Sequence, residues 1–276
     1  MILLGRQKSK DKRRQMRNRP RSKVSRANLA GAFLLIVAFA IAAAVVYANI
    51  MLQPAPRGEA DLCPLSGAKG LEILVVDKSD QWNNAQVNRL ARVINTLKDE
   101  IPQDYKLSIF TFQDKVEYGF PPIFSVCSPG RGQETSFWYG NPEKVQRKFA
   151  QMFGTPLSTV LSELQKPAEG TESPILEVLA DITGREEFYS VQGIHQIILI
   201  SDMLQNTELL NLFSQSGDNV DSAKVSQEAG ARSFDEFSLR VYQIKGKYSQ
   251  KQLDNAKAFW SKWATFHKVK LDWLYL

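Results

Sequence analysis

A chain of 276 residues has room for one sizeable core with appendages, and 43% apolar against 23% charged residues excludes a disordered or low-complexity chain. The net charge of +6 is unevenly placed: residues 1–26 hold eleven Lys and Arg against Asp11, a local +10, which leaves −4 on the other 250 residues. The basic character belongs to an arm, whereas a nucleic-acid-binding domain carries its positive charge on the fold itself.

No charged residue occurs from Ala27 to Pro56. The core of that window, Leu29–Ile50, has 22 residues, about 33 Å as a helix, which matches a hydrocarbon layer of about 30 Å. A cleaved signal peptide has a shorter apolar region, about 7–15 residues, closed by a small-x-small site. Val46-Tyr47-Ala48 fits such a site poorly, and Cys63 follows bulky Leu62 too far downstream to carry a lipid. The expectation is a basic arm over 1–28, an uncleaved transmembrane helix over 29–50, a linker over 51–70 and an exported domain over 71–276. The positive-inside rule puts the arm in the cytoplasm and the domain outside, as in a single-pass bacterial inner-membrane protein. Contact of the arm with anionic lipid or nucleic acid is the weaker reading beside a topology signal, so no nucleic-acid partner is expected.

The chain has two cysteines, Cys63 and Cys127, both in the exported part, where two thiols most simply pair. Neither has a nearby Cys or His at ligand spacing, so metal ligation by them is the weaker alternative. Gln53–Gly70, rich in Pro, Gly and Ala, reads as the linker, tacked to the domain by Cys63. Leu71–Val76 is an apolar run that stops on Asp77 and reads as a buried strand. A helical pattern around Asn84–Lys98 follows, with Val87, Leu90, Ile94 and Leu97 on one stripe and Pro102 as its stop.

Lys106–Phe112 alternates as a strand, Lys115–Phe120 more weakly so, and Pro121–Gly140 reads as an irregular loop with Cys127 and the cluster Phe137-Trp138-Tyr139. Asn141-Pro142-Glu143 is a helix start that predicts a bend near Gly154–Pro156 and continuation to Gln165. Ser173-Pro174 opens another helix, and Gln196–Ser201 is a second apolar strand that stops on an aspartate, Asp202. Ser214–Asp235 has few apolar anchors and reads as mobile. Ser238–Ile244 and Val269–Tyr275 read as strands around an amphipathic helix over Ser249–His267, with Leu253, Ala256, Trp260 and Trp263 in register. Alternating strands and helices predict an α/β fold: a doubly wound, mainly parallel sheet flanked by helices. At such a sheet's switch point ligands sit at the strands' carboxyl ends, where Asp77 and Asp202 would meet.

The order of apolar strand, Asp77-x-Ser79-x-Gln81, helix, Ser173-Pro174-Ile175, apolar strand and Asp202 resembles the von Willebrand factor type A domain from Leu71 to Leu276. That resemblance implies a metal-ion-dependent adhesion site. Asp77 and Ser79 match its first two positions, Gln81 stands where a hydroxyl is expected, and Asp202 matches the last aspartate. The threonine position falls on Ser173, with Thr171 as its rival. Such oxygen donors suit Mg²⁺ or Mn²⁺ and leave a position for the carboxylate of a partner protein. The longer Gln81 side chain leaves a degenerate, metal-free site as the competing expectation.

Each residue also has a purely structural role on offer. Ser79 or Asp80 could cap the first helix, Ser173 could cap the helix after it, and Asp202 could accept N–H bonds in its own loop. No catalytic site is expected. Ser79 stands where a haloacid-dehalogenase-type phosphatase needs a second aspartate, and no Gly-rich phosphate loop follows the first strand. His195 and Asp202 open and close one strand, over about 20 Å apart, and His267 marks a helix end. The expected role is a membrane-anchored protein-interaction module of an envelope assembly; the alternatives are a hydrolase or phosphatase using Asp77 and a metal-free scaffold.

Overall fold

An apolar N-terminal helix and a six-stranded α/β unit make up the chain in the computed structural model, which describes residues 26–51, 56–134, 141–166, 168, 170–189, 191, 193, 195–231, 234 and 237–276. The basic arm before Arg26 and the Phe137-Trp138-Tyr139 cluster lie outside the described residues. Helix α1 (Arg26–Met51) has apolar side chains around its whole circumference, leaving neither a polar face for water nor a single stripe for a core. Its stretch Ala30–Ala48, 19 residues and about 28 Å long, is sufficient in length and composition to cross a membrane. A second compact unit spans Ala55–Leu276.

In that unit β1 (Gly70–Asp77), β2 (Tyr105–Phe112), β3 (Phe124–Cys127), β4 (His195–Ser201), β5 (Phe237–Gln243) and β6 (Lys270–Tyr275) form a sheet of order β3-β2-β1-β4-β5-β6. All pairings are parallel except the one between β2 and β3. Central strands β1 and β4 are covered on both faces, which is why they read as unbroken apolar runs. From β1 the chain builds outward to β3 and then returns to the other flank of β1 as β4, so strand order reverses between β1 and β4. Register pairs Val76 with Ile200, which sets Asp77 and Asp202 at neighbouring strand ends.

One layer is α2 (Asn84–Glu100), α3 (Pro142–Phe149) and α4 (Thr155–Leu164), whose Leu90, Ile94, Phe149 and Leu157, with Phe153 between α3 and α4, bury against Leu74, Val76, Ile109 and Ile198. The opposite layer is α5 (Ile175–Thr183), α6 (Glu186–Tyr189), α7 (Ser222–Glu228) and α8 (Gln250–Phe266), packed on Ile73, Val75, Phe110, Leu199 and Val241. Trp260 and Trp263 of α8 are fully buried there. Their indole N–H groups donate to Met203 O (2.9 Å) and Ser226 Oγ (3.0 Å), so neither large ring buries an unsatisfied donor.

The cysteines pair as Cys63–Cys127, Cα atoms 4.8 Å apart, and stitch the segment before β1 to the edge strand β3. From residue 56 on, that segment is packed and does not hang as a tether. Arg57 donates to Leu62 O (2.9 Å) and to the buried Asp104, which also takes Lys69 Nζ at 2.7 Å. Cys127 N donates to Asp61 O (2.7 Å), and Leu62, Cys63 and Ala68 are buried.

Several local expectations differ from the structure. Lys115–Phe120 is not a strand: the chain turns at Gly119 (φ +79°), whose N–H donates to Asp181 Oδ1 at 2.7 Å, and β3 lies further on, inside the expected loop. The bend before Pro156 is a π-helical turn, Ala150–Gly154, which absorbs the missing proline N–H without ending the helix. The polar 214–235 stretch contains a 3₁₀ turn, Gly217–Asn219, and α7. Asn255 pins it by accepting from Gly217 N (2.6 Å) and donating to Gln215 O (2.8 Å). On α2 the buried stripe uses Gln86 and leaves Val87 half-buried, because Gln86 forms the capping box with Asn83 and donates to Lys245 O at 3.3 Å.

Candidate functional site

Asp77 is the last residue of β1 and is 3% exposed, yet both of its carboxylate oxygens have donors. Its Oδ1 accepts Ser79 N–H at 2.9 Å, and its Oδ2 accepts the hydroxyls of Ser173 (2.9 Å) and Ser201 (2.8 Å). Burial pushes the Asp77 carboxyl above its ordinary range, and the hydrogen bonds from Ser79, Ser201 and Ser173 oppose that shift. Ser173 is fixed by reciprocal backbone bonds with Asn206, both 3.0 Å.

Asp202 follows β4 directly. Its Oδ1 accepts Leu204 N–H at 2.8 Å, and its own carbonyl accepts Gln243 Nε2 at 3.1 Å. Burial drives this carboxyl well above the usual aspartate range, the negative charge of Asp77 adds to the rise, and Asp80 pushes the same way. The turn after it is tight: Met203 sits at φ +68°, a left-handed conformation rare for a residue with a side chain, held by Ser201 Oγ accepting its N–H at 2.8 Å.

Asp77, Ser79, Asp80, Gln81 and Asp202 line a common pocket with Trp82, Gln86, Ile244 and Gly246. Its volume of about 20 Å³ suits one water molecule or one ion. At its rim Lys247 Nζ contacts Asp80 Oδ1 at 2.8 Å. The Tyr248 hydroxyl, bonded to Asp80, is pushed far up, first by burial and then by Asp80 and Asp202.

Five of the six expected residues thus converge: Asp77, Ser79 and Ser173 at the end of β1, with Gln81 and Asp202 on the pocket wall. Thr171 does not join them, since its N–H (2.7 Å) and hydroxyl (3.1 Å) both go to Asp114 Oδ1 on the loop after β2. The capping alternatives fail as well. Asn83 caps α2 in place of Ser79 or Asp80, and Ser173 leaves α5 to Gln205, whose Oε1 accepts Leu176 N–H at 2.9 Å. Asp202 does keep the structural bond in its own loop.

Ser201, Asp80, Lys247, Tyr248 and Gln205 carry no sequence signal of this role; the pairing of Val76 with Ile200 is what makes Ser201 the neighbour of Asp77. Among the described residues no group of three or more His, Cys, Asp or Glu converges as a metal site. The donor set that does converge is hard oxygen, from two carboxylates and adjacent hydroxyls. Burial makes it costly for either acid on this pocket to carry its negative charge, a cost that a bound cation would offset, so the chemistry of the pocket fits a small divalent ion.

No protein-family model matches this chain, and no curated protein matches it in sequence. Among solved structures it is similar to the crystal structure of the human COPII-coat protein Sec24c, at 9% identity and a TM-score of 0.34. That match covers 76% of this chain, which spans 30% of the Sec24c chain, and a likeness this low carries no argument about function.

Proposed function

We propose that the chain is a membrane-anchored interaction module of the von Willebrand factor type A kind, which captures a partner protein at the pocket between Asp77 and Asp202. The observation that carries this reading is the pair of buried aspartates that line one pocket at the switch point of the sheet, in a space sized for one ion. Asp77, Ser79 and Asp202 would hold Mg²⁺ or Mn²⁺, with Ser173 as the hydroxyl nearest to them and Gln81 at the wall. A cation bound there supplies a Lewis-acidic position for a carboxylate oxygen of the partner.

The chain's own contribution is positional. Ser173 and Ser201 orient Asp77 Oδ2, Leu204 N–H orients Asp202, and the left-handed Met203 aims the loop. In this reading α1 is the anchor, the basic arm is cytoplasmic, the domain is extracytoplasmic at a bacterial inner membrane, and the module serves an envelope assembly. The small pocket supports binding over a hydrolase or phosphatase using Asp77, because such an enzyme must admit a whole phosphoryl or acyl group.

Cross-linking and co-purification from native membranes test the proposal. A partner captured in Mg²⁺ is expected to be lost with chelator and in Asp202→Ala. Capture indifferent to both would remove the pocket from the account.

A further inference from the structure

The two faces of the sheet are unequally covered. On the α8 side Leu239 and Val241 of β5 are buried, with Leu271 and Trp273 of β6 packed against that core. Alternation turns Arg240, Tyr242, Asp272 and Leu274 to the α2 side, where Arg240 and Tyr242 are half-buried and Asp272 and Leu274 are exposed. Neighbouring strands lie about 4.8 Å apart, so the partly covered β5 and the exposed edge strand β6 leave a strip about 10 Å wide, close to the diameter of a helix.

The wall of that strip is one face of α2, Arg89, Arg92, Val93 and Thr96, spaced i, i+3, i+4 and i+7. With Tyr242, Tyr275 and Leu276 these residues line a groove of about 510 Å³, more than twenty times the volume of the pocket at Asp77. Arg240 is committed to Asp272 at 3.0 Å, whereas Arg89 and Arg92 are exposed and make no hydrogen bond or ion pair among the described residues. Arginine beside tyrosine, with Val93 and Leu276 between them, is a composition that recurs at protein-docking hot spots.

We propose that this groove binds an amphipathic helix of a partner protein, its apolar stripe on Tyr242, Leu274 and Leu276 and its acidic flank against Arg89 and Arg92. A helix fits the width, and acidic residues are what two uncommitted guanidinium groups recognise, each able to hold a carboxylate by two parallel N–H bonds. The surface is separate from the Asp77 pocket and stands whether or not a cation binds there.

The test uses the full chain in detergent and a labelled synthetic helix of Leu, Ala and Glu, with leucines at i, i+3, i+4 and i+7 and glutamates along one flank. Fluorescence anisotropy is expected to show saturable binding. Arg89→Glu with Arg92→Glu should weaken it about tenfold or more, and a twin peptide with lysine for glutamate should recover affinity for that double variant. Leu274→Asp should weaken both pairings. Absent saturable binding, equal binding of a scrambled peptide, or indifference to charge reversal would each overturn the proposal. Recovery by the charge-swapped twin shows that the double variant is folded; if it fails while circular dichroism shows a native melt, the assignment of Arg89 and Arg92 is wrong.

Discussion

The Ser201 hydroxyl donates to Asp77 Oδ2 at 2.8 Å while accepting Met203 N–H at 2.8 Å, so one buried side chain ties the end of β1 to the turn that carries Asp202. Ser201→Ala removes a donor from a buried carboxylate and an acceptor from a buried N–H. The expected cost is about 1–3 kcal/mol of stability, read as a lower midpoint in denaturant with an unchanged slope. A loss under about 0.3 kcal/mol would mean that the two strand ends are held by something else.

The acids at the site set a pH dependence. Asp77 and Asp202 titrate above the ordinary aspartate range in the folded chain and near about 3.9 when unfolded. The folded state therefore retains protons that the unfolded state has released, and stability present below the unfolded value is lost as pH rises through the folded ones. Without divalent cations, Asp202→Asn is expected to melt a few degrees above the natural sequence at pH 8, with the gap closing toward pH 4. Asp114, held down by the Thr171 N–H, contributes with the opposite sign, and it cancels in the comparison because both proteins carry it.

How much of this was legible in the sequence follows from what each residue interacts with. Strand ends Asp77 and Asp202 stand out because β1 and β4 are buried on both faces and must be apolar until they leave the sheet. Strand β3 is four residues at an antiparallel edge, too short for periodicity to declare, while Val116, Tyr118 and Phe120 alternate in a segment that turns at Gly119. Ser201 and Gln205 act through strand register and a cross-loop bond to α5, relations between distant segments that local patterning does not encode. The 214–235 stretch buries Val225 and Phe234 in the core and is further held by bonds with Asn255 and Lys262, anchors too widely spaced to show as a periodic pattern.

Glu72 gives an independent check on the sheet. It lies on β1 with Oε2 buried and without a hydrogen-bond partner among the described residues, and burial raises its carboxyl while Arg240 opposes the rise. Glu72→Gln is expected to stabilise the protein by about 1 kcal/mol at neutral pH, with the gain fading in acid as the natural carboxyl becomes neutral. A destabilised variant at pH 8 would show that the charge is used.

The Cys63–Cys127 bond closes a loop with a sequence separation of 64. In the chain-entropy account that closure contributes roughly 4 kcal/mol, so the paired variant Cys63→Ser with Cys127→Ser should unfold at a clearly lower denaturant concentration. An unchanged midpoint would show that Arg57 and Asp104 hold the segment before β1 by themselves.

Calorimetric titration of Mg²⁺ and Mn²⁺ into the folded full chain tests the central claim most directly. The account predicts saturable heat for one ion, abolished by Asp77→Asn and by Asp202→Asn while both variants keep a native melt. No heat from the natural sequence, or the same heat from all three proteins, would contradict it.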